Sequence, residues 1–178
     1  KVIAPATTQD AYALTLAAYD DPNPTVIIEH KALYRAPQLR APLPTGDELA
    51  SLKRLGEALL RREGDALTII TYGAMLHRCL EAAERLSAEH NLEVAVLDLR
   101  TLSPLDEEAI ALAARQTHKL LVVHEDTRSS GLAGEVCAII NERAFEWLDA
   151  PVRRLTAPNT PVPYHANLEA AFAPQVSD

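Results

Sequence analysis

The 178-residue chain is 48% hydrophobic and carries a formal net charge of −8. That is enough apolar content for an ordinary core, and no basic excess with which to hold a nucleic-acid backbone or an anionic membrane. No apolar run approaches the roughly 20 residues that span a bilayer, and no basic stretch followed by an apolar one opens the chain, so the sequence predicts a soluble, cytoplasmic protein with no nucleic-acid or membrane partner.

Val2-Ile3-Ala4-Pro5 reads as a short strand, and Thr7-Thr8-Gln9-Asp10 supplies capping groups for a helix through Ala18. Asp20-Asp21-Pro22-Asn23-Pro24 stops that helix, and the β-branched run Thr25–Glu29 has strand length. Residues 1–30 thus predict β-α-β. Between Ala36 and Gly46 lie three prolines, few apolar anchors and no periodicity, the composition of an interdomain linker. The β-α-β then reads as the end of another domain whose edges call for partner strands, and the chain as a fragment of something longer.

Residues 48–62 are helical by propensity, with Leu49, Leu52, Leu55, Leu59 and Leu60 roughly on one face. Leu67–Tyr72 is a strand, Gly73 turns the chain, and Met75, Leu76, Cys79, Leu80, Ala83 and Leu86 form a helical stripe. Leu92–Leu99 is the next strand. Ser103-Pro104 then opens a helix that closes near Thr117, with Ser103 at the cap and Asp106 reaching back. Lys119–His124 is a third apolar strand, and Gly131–Glu135 leads into a helix ended by Pro151. Val152–Leu155 is a short final strand, with an antiparallel edge position open to it, after which Pro158, Pro161 and Pro163 impose an irregular extended path. Strands alternating with helices predict a mainly parallel sheet covered on both faces.

Few residues offer chemistry. Cys79 and Cys137 fall inside apolar helical patterns and are expected as buried thiols, not as a disulfide or metal pair. Neither phosphate-loop pattern occurs; Gly131-Leu132-Ala133-Gly134 comes nearest, with tight helix entry and anion binding at the helix amino terminus as its two readings. His124-Glu125-Asp126 ends a buried strand at the edge where open α/β sheets bind ligands. The alternative is a structural role in the following loop with Arg128 as ion-pair partner. His77 and His118 lack metal-ligand spacing, and Tyr72-Gly73 and Ser129-Ser130 lack the elbow of a serine nucleophile. A sound core without a catalytic set points to packing and partner recognition.

Gly64–Gly73, Asp98–Asp106, and Val123–Asp126 followed by Gly131 and Gly134-Glu135 resemble, in order and spacing, the transketolase-type carboxy-terminal domain. Leu148–Leu155 and Pro158–Tyr164 resemble the β subunits of thiamine-diphosphate-dependent pyruvate and branched-chain 2-oxo acid dehydrogenases, in the decarboxylating component. Ile3-Ala4-Pro5, Asp10-Ala11 and Asp21–Pro24 look like the last part of that family's pyrimidine-binding domain.

The resemblance implies a three-layer α/β domain over residues 48–178, a linker over 36–47, and over 1–35 the last β-α-β of a pyrimidine-binding domain. The implied activity is oxidative decarboxylation of a 2-oxo acid with acyl transfer to lipoamide, using thiamine diphosphate and magnesium in the full enzyme. It places the cofactor-activating glutamate and the acyl-transfer histidine upstream of residue 1, so no catalytic or cofactor-binding residue is assigned, and the fragment alone is expected to be inactive.

The same resemblance implies a structural monovalent-cation site, usually potassium, on Ala18, Tyr19, Asp21 and Asn23, with Pro22 as a departure. Its implied partners are an α-type subunit or domain, a second β-type copy and the lipoyl acyltransferase core, the last through acidic residues such as Glu169 and Asp178; the family's usual final helix does not follow Pro174. Lys31–Arg35 leans toward the branched-chain enzymes. The rivals are transketolase or deoxyxylulose-phosphate synthase, against which the Pro158–Tyr164 stretch speaks, and a non-catalytic dimerisation module, which a solitary reading frame of this length would favour.

Overall fold

The computed structural model describes residues 1–178. In chain order the elements are β1 (Val2–Ile3), α1 (Thr8–Asp20), β2 (Val26–Ile27), α2 (Gly46–Leu52), β3 (Leu59–Arg62), β4 (Leu67–Thr71), α3 (Met75–His90), β5 (Val94–Asp98), β6 (Thr101–Ser103), α4 (Glu107–Thr117), β7 (Leu120–Thr127), α5 (Ala133–Ala144), β8 (Arg153–Ala157) and α6 (Ala166–Phe172). They fall into two compact units: residues 1–59 with 72–74 and 99–106, and residues 60–71 with 75–98 and 107–178.

In the first unit β1 pairs in parallel with β2 and antiparallel with β6, in the order β2-β1-β6. The expected β-α-β is present. Thr7 caps α1, its hydroxyl accepting from the Asp10 amide at 3.1 Å and donating to the Asp10 carboxylate at 2.6 Å. Ile3, Ala13 and Leu14 are fully buried around it. The guanidinium of Arg100 is buried here too, where it donates to Asp10 Oδ1 at 2.9 Å and to the carbonyls of Leu52 and Glu57. One cation thereby satisfies the first turn of α1, the end of α2 and the segment after it.

The second unit carries a five-stranded sheet in the order β3-β5-β4-β7-β8, with β4 parallel to β5 and β7. Strand alternation separates its two faces. Ile69, Leu121 and Val123 line one face with Met75 and Cys79 of α3, whereas Thr68 turns the other way and its hydroxyl meets that of Thr117 on α4 at 2.8 Å. Helices on both faces explain why every residue of β5 is buried. Cys79 is buried and Cys137 half-buried, both as free thiols. No helix is long and apolar enough to cross a membrane.

Four local expectations are corrected. The helix over 48–62 stops at Leu52: Lys53 leaves helical geometry (φ −79°, ψ 52°) and Gly56 sits at φ +85°, a left-handed conformation that breaks a helix. Leu59 and Leu60 belong to strand β3, held by Arg61 on Asp98 at 2.9 Å and by Arg62 on the Val94 carbonyl at 2.6 Å. Ser103 does not cap a helix; it ends β6, α4 begins only at Glu107, and Asp106 accepts from the Ala58 amide at 2.9 Å. The last strand is parallel to β7, not antiparallel. The proline-rich path ends in α6, whose first turn is capped by the His165 ring accepting from the Asn167 amide at 3.3 Å.

Candidate functional site

The residues expected to hold a cation lie where α1 ends. Ala18 and Tyr19 occupy the last turn, whose carbonyls a helix leaves without amide donors, and Asp21 is the C-cap in extended geometry (φ −81°, ψ 130°). Asn23 folds back on Asp21, its backbone and side-chain amides donating to Oδ1 at 2.9 and 3.1 Å. The Lys1 ammonium takes the other carboxylate oxygen. The Lys1 hydrogen bond first, and then those of Asn23, hold the Asp21 carboxyl down at about 2, so it is anionic at any physiological pH. Helix-end carbonyls, a carboxylate and an amide are hard oxygen donors of the kind a monovalent cation accepts. Here the ammonium stands beside the carboxylate as counter-charge.

The second place singled out is the carboxyl end of β7. His124, Glu125 and Asp126 all belong to that strand, which runs to Thr127, and its register against β8 is irregular between His124 and Thr127. His124 is fully buried and its Nε2 accepts the Ala133 amide at 3.2 Å. Burial pushes its pKa down, opposed by the nearby Asp126 carboxylate. Asp126 accepts the Thr127 amide at 2.7 Å. The loop beyond is tied to the segment after β8, with Ser129 and Asn159 exchanging hydrogen bonds at 2.8 Å. Arg128, expected to make an ion pair, donates instead to the Arg154 carbonyl at 3.4 Å, and Arg154 returns the bond.

Gly131 explains the spacing. A Cβ there would stand 2.3 Å from the Thr127 carbonyl oxygen and 2.8 Å from His124 Cε1, so the glycine serves close backbone packing. His118, far from any metal geometry, bonds the Trp147 carbonyl through Nδ1 at 2.7 Å and stacks on that ring at 6.3 Å. No group of three or more His, Cys, Asp or Glu side chains is arranged to hold a metal ion.

A cleft of about 280 Å³ in the first unit is bounded by Pro5, Thr7, Glu29, His30, Tyr34 and Arg40, among others. Its lining is mostly small and apolar. The Tyr34 phenol is pushed above its ordinary pKa by a hydrogen bond with Glu29, which makes it a poorer acid and keeps it protonated. Sequence reading passed over this cleft because its walls come from a strand-helix turn and from two 3-10 turns, Leu33–Arg35 just before the segment taken as linker and Pro37–Leu39 inside it.

Residues 56–178 match the family described as the transketolase C-terminal domain. Over 173 residues the chain is 42% identical to the 2-oxoisovalerate dehydrogenase subunit beta of Bacillus subtilis, covering 97% of this chain and 51% of that protein. It is 40% identical to the pyruvate dehydrogenase E1 component subunit beta of the same organism, covering all of this chain and 53% of that one. For the mitochondrial pyruvate dehydrogenase E1 component subunit beta-1 of Arabidopsis thaliana the figures are 38%, 100% and 48%. The chain therefore spans about half the length of these curated relatives. Among solved structures, a chain described as "Split gene transketolase, inactive beta4 tetramer" superimposes with a TM-score of 0.74 at 22% identity, covering 99% of this chain and 53% of that one, a likeness of fold. From its sheet order and its match over residues 56–178, the chain belongs to the transketolase C-terminal domain family.

Proposed function

We propose that this chain is the carboxy-terminal part of the β-type subunit of a thiamine-diphosphate-dependent 2-oxo acid dehydrogenase, within its decarboxylating component. The observation that carries the reading is continuity: β-subunit relatives align at 38–42% identity through 97–100% of the chain, including the first 55 residues that lie outside the matched family domain. Residues 1–35 then close a pyrimidine-binding domain, 36–47 link, and 48–178 form the supporting domain. The lean of Lys31–Arg35 toward branched-chain substrates agrees with the likeness to a 2-oxoisovalerate dehydrogenase subunit.

In this reading bond making happens elsewhere in the assembly. Thiamine diphosphate, held with magnesium between subunits, supplies the carbanion chemistry of decarboxylation, and this chain contributes position. Its partners are an α-type subunit, a second β-type copy, and the lipoyl acyltransferase core, met through acidic groups such as Glu169 and Asp178. The compartment proposed is the cytoplasm. A potassium ion on the carbonyls of Ala18 and Tyr19 with Asp21 and Asn23 would brace the turn into β2; the donor set supports it, and the Lys1 ammonium competes for the same carboxylate.

The test is reconstitution. With the complete β-type polypeptide and an α-type partner, addition of thiamine diphosphate and magnesium is expected to give 2-oxo-acid-dependent reduction of an artificial electron acceptor, whereas calorimetry on residues 1–178 alone shows no thiamine diphosphate binding. Tight stoichiometric binding to the chain alone overturns the reading. For the cation, a potassium-dependent rise in Tm that Asp21→Ala abolishes supports the site, and equal melting in potassium and tetramethylammonium chloride rejects it.

A further inference from the structure

We propose that His124 is a pH-sensitive latch: its neutral imidazole at the carboxyl end of β7 holds the first turn of α5, and protonation releases that turn. The geometry fixes which nitrogen carries the proton. The Ala133 amide donates to Nε2 at 3.2 Å, so Nε2 is the bare nitrogen and the hydrogen resides on Nδ1. This amide belongs to the first residue of α5, one of the donors that a helix leaves without an intrahelical acceptor. No side chain caps this helix at its N-cap, Leu132, so the imidazole does the capping from across the fold.

A second proton on the ring would place N–H against N–H and put a cation beside the positive end of the helix dipole. It would also do so without solvent, since His124 is fully buried and Gly131 lies against the ring so closely that a methyl group there would stand 2.8 Å from Cε1. Among the charged groups around the ring, Asp126 on β7 favours the cation, and Arg154 on β8 opposes it. The other titratable or charged groups of these elements are Glu125 on β7, Arg128 in the connecting loop, Glu135, Cys137, Glu142 and Arg143 on α5, and Arg153 on β8. The Asp126 carboxylate and a backbone hydrogen bond at Asp126 soften the penalty; the lost bond and the helix dipole remain. Opening the turn restores an ordinary imidazole.

Linkage then sets the size of the effect. Below the ordinary histidine pKa of 6.5 the open form takes up a proton that the closed form refuses. Its population rises about tenfold for each pH unit until the closed form itself protonates.

Hydrogen exchange of the full chain, followed at the amides of residues 133–137 and corrected for intrinsic exchange, tests this between pH 8 and 5. The expected result is a flat opening equilibrium above about pH 7 and a rise of about tenfold per pH unit below 6.5, with α3 amides unaffected. His124→Gln offers an acceptor without a titrating group and is expected to remove the slope. Should that variant not fold, nitrogen-15 imidazole shifts of the wild-type chain decide alone. A neutral ring protonated on Nδ1 and resisting protonation at pH 6 supports the latch. A ring protonated on Nε2 at pH 7.5, or one that titrates at 6.5 with no change in α5 exchange, overturns it.

Discussion

Replacing Arg100 by methionine removes the one cation that three segments of the first unit share. Arg100 is 1% exposed and Asp10 fully buried, with Nε 2.9 Å from Oδ1. Removing one partner of such a pair typically costs 3–5 kcal/mol, because a buried charge is left uncompensated. Asp10 keeps the Thr7 hydroxyl at 2.6 Å and sits in the first turn of α1, where the helix dipole favours an anion, so the charge term falls at about 3 kcal/mol. The Leu52 carbonyl, left without the guanidinium, adds roughly 1 kcal/mol or more. A loss of about 4 kcal/mol is therefore expected in urea unfolding followed by far-UV ellipticity, with the midpoint falling at unchanged slope.

Arg100→Met combined with Asp10→Asn tests the cause. Removing the orphaned charge is expected to recover about 2 kcal/mol, a coupling well above that of independent sites. A single-variant loss under about 1 kcal/mol, or a double variant no more stable than the single, refutes the argument that charge compensation holds this unit together.

Burial raises the Cys79 thiol from 9.0 to about 11. The unfolded chain therefore loses its proton first, and stability is expected to drop as pH climbs from 9 toward 11, by about 3 kcal/mol at the limit; thermal melts of wild type against Cys79→Ala check this. Asp21 shows the opposite sign. Its carboxyl is held at about 2 against an ordinary 3.8, so its contribution is present above pH 4 and is lost as pH falls toward 2, a dependence that Asp21→Asn is expected to remove from acid titrations followed by ellipticity. Gly131→Ala drives a methyl to within 2.3 Å of the Thr127 carbonyl oxygen. A loss of about 1–3 kcal/mol, as for other overpacked sites, is expected in urea unfolding, and an unchanged midpoint would contradict the packing role.

The elements that were legible in the sequence are those whose pattern is set by local chemistry and two-sided burial. β4, β5 and β7 read correctly because each is an apolar run of strand length with helices to cover both faces, and α1 read correctly because Thr7 and Asp10 announce a cap. The misreadings have a common physical origin, which is that distant partners decide them. Leu59–Arg62 scores as helix on propensity alone and becomes a strand because Asp98 and the Val94 carbonyl take its two arginines. Asp106 has the spacing of a capping-box residue and spends its carboxylate on the amide of Ala58. The candidate sites divide in the same way. Asp21 and Asn23 meet because only Pro22 lies between them and a turn brings them together. The bond from Ala133 to His124 crosses nine positions and depends on Gly131 letting the backbone close over the ring, so of the two readings of the Gly131–Gly134 segment the tight helix entry is the one with contacts behind it, though its histidine partner was not legible. Such satisfaction of buried polar groups by partners distant in sequence is where sequence stops and geometry begins to specify behaviour. In the first unit that geometry converges on Arg100, whose partners Asp10, Leu52 and Glu57 come from three separate stretches of sequence.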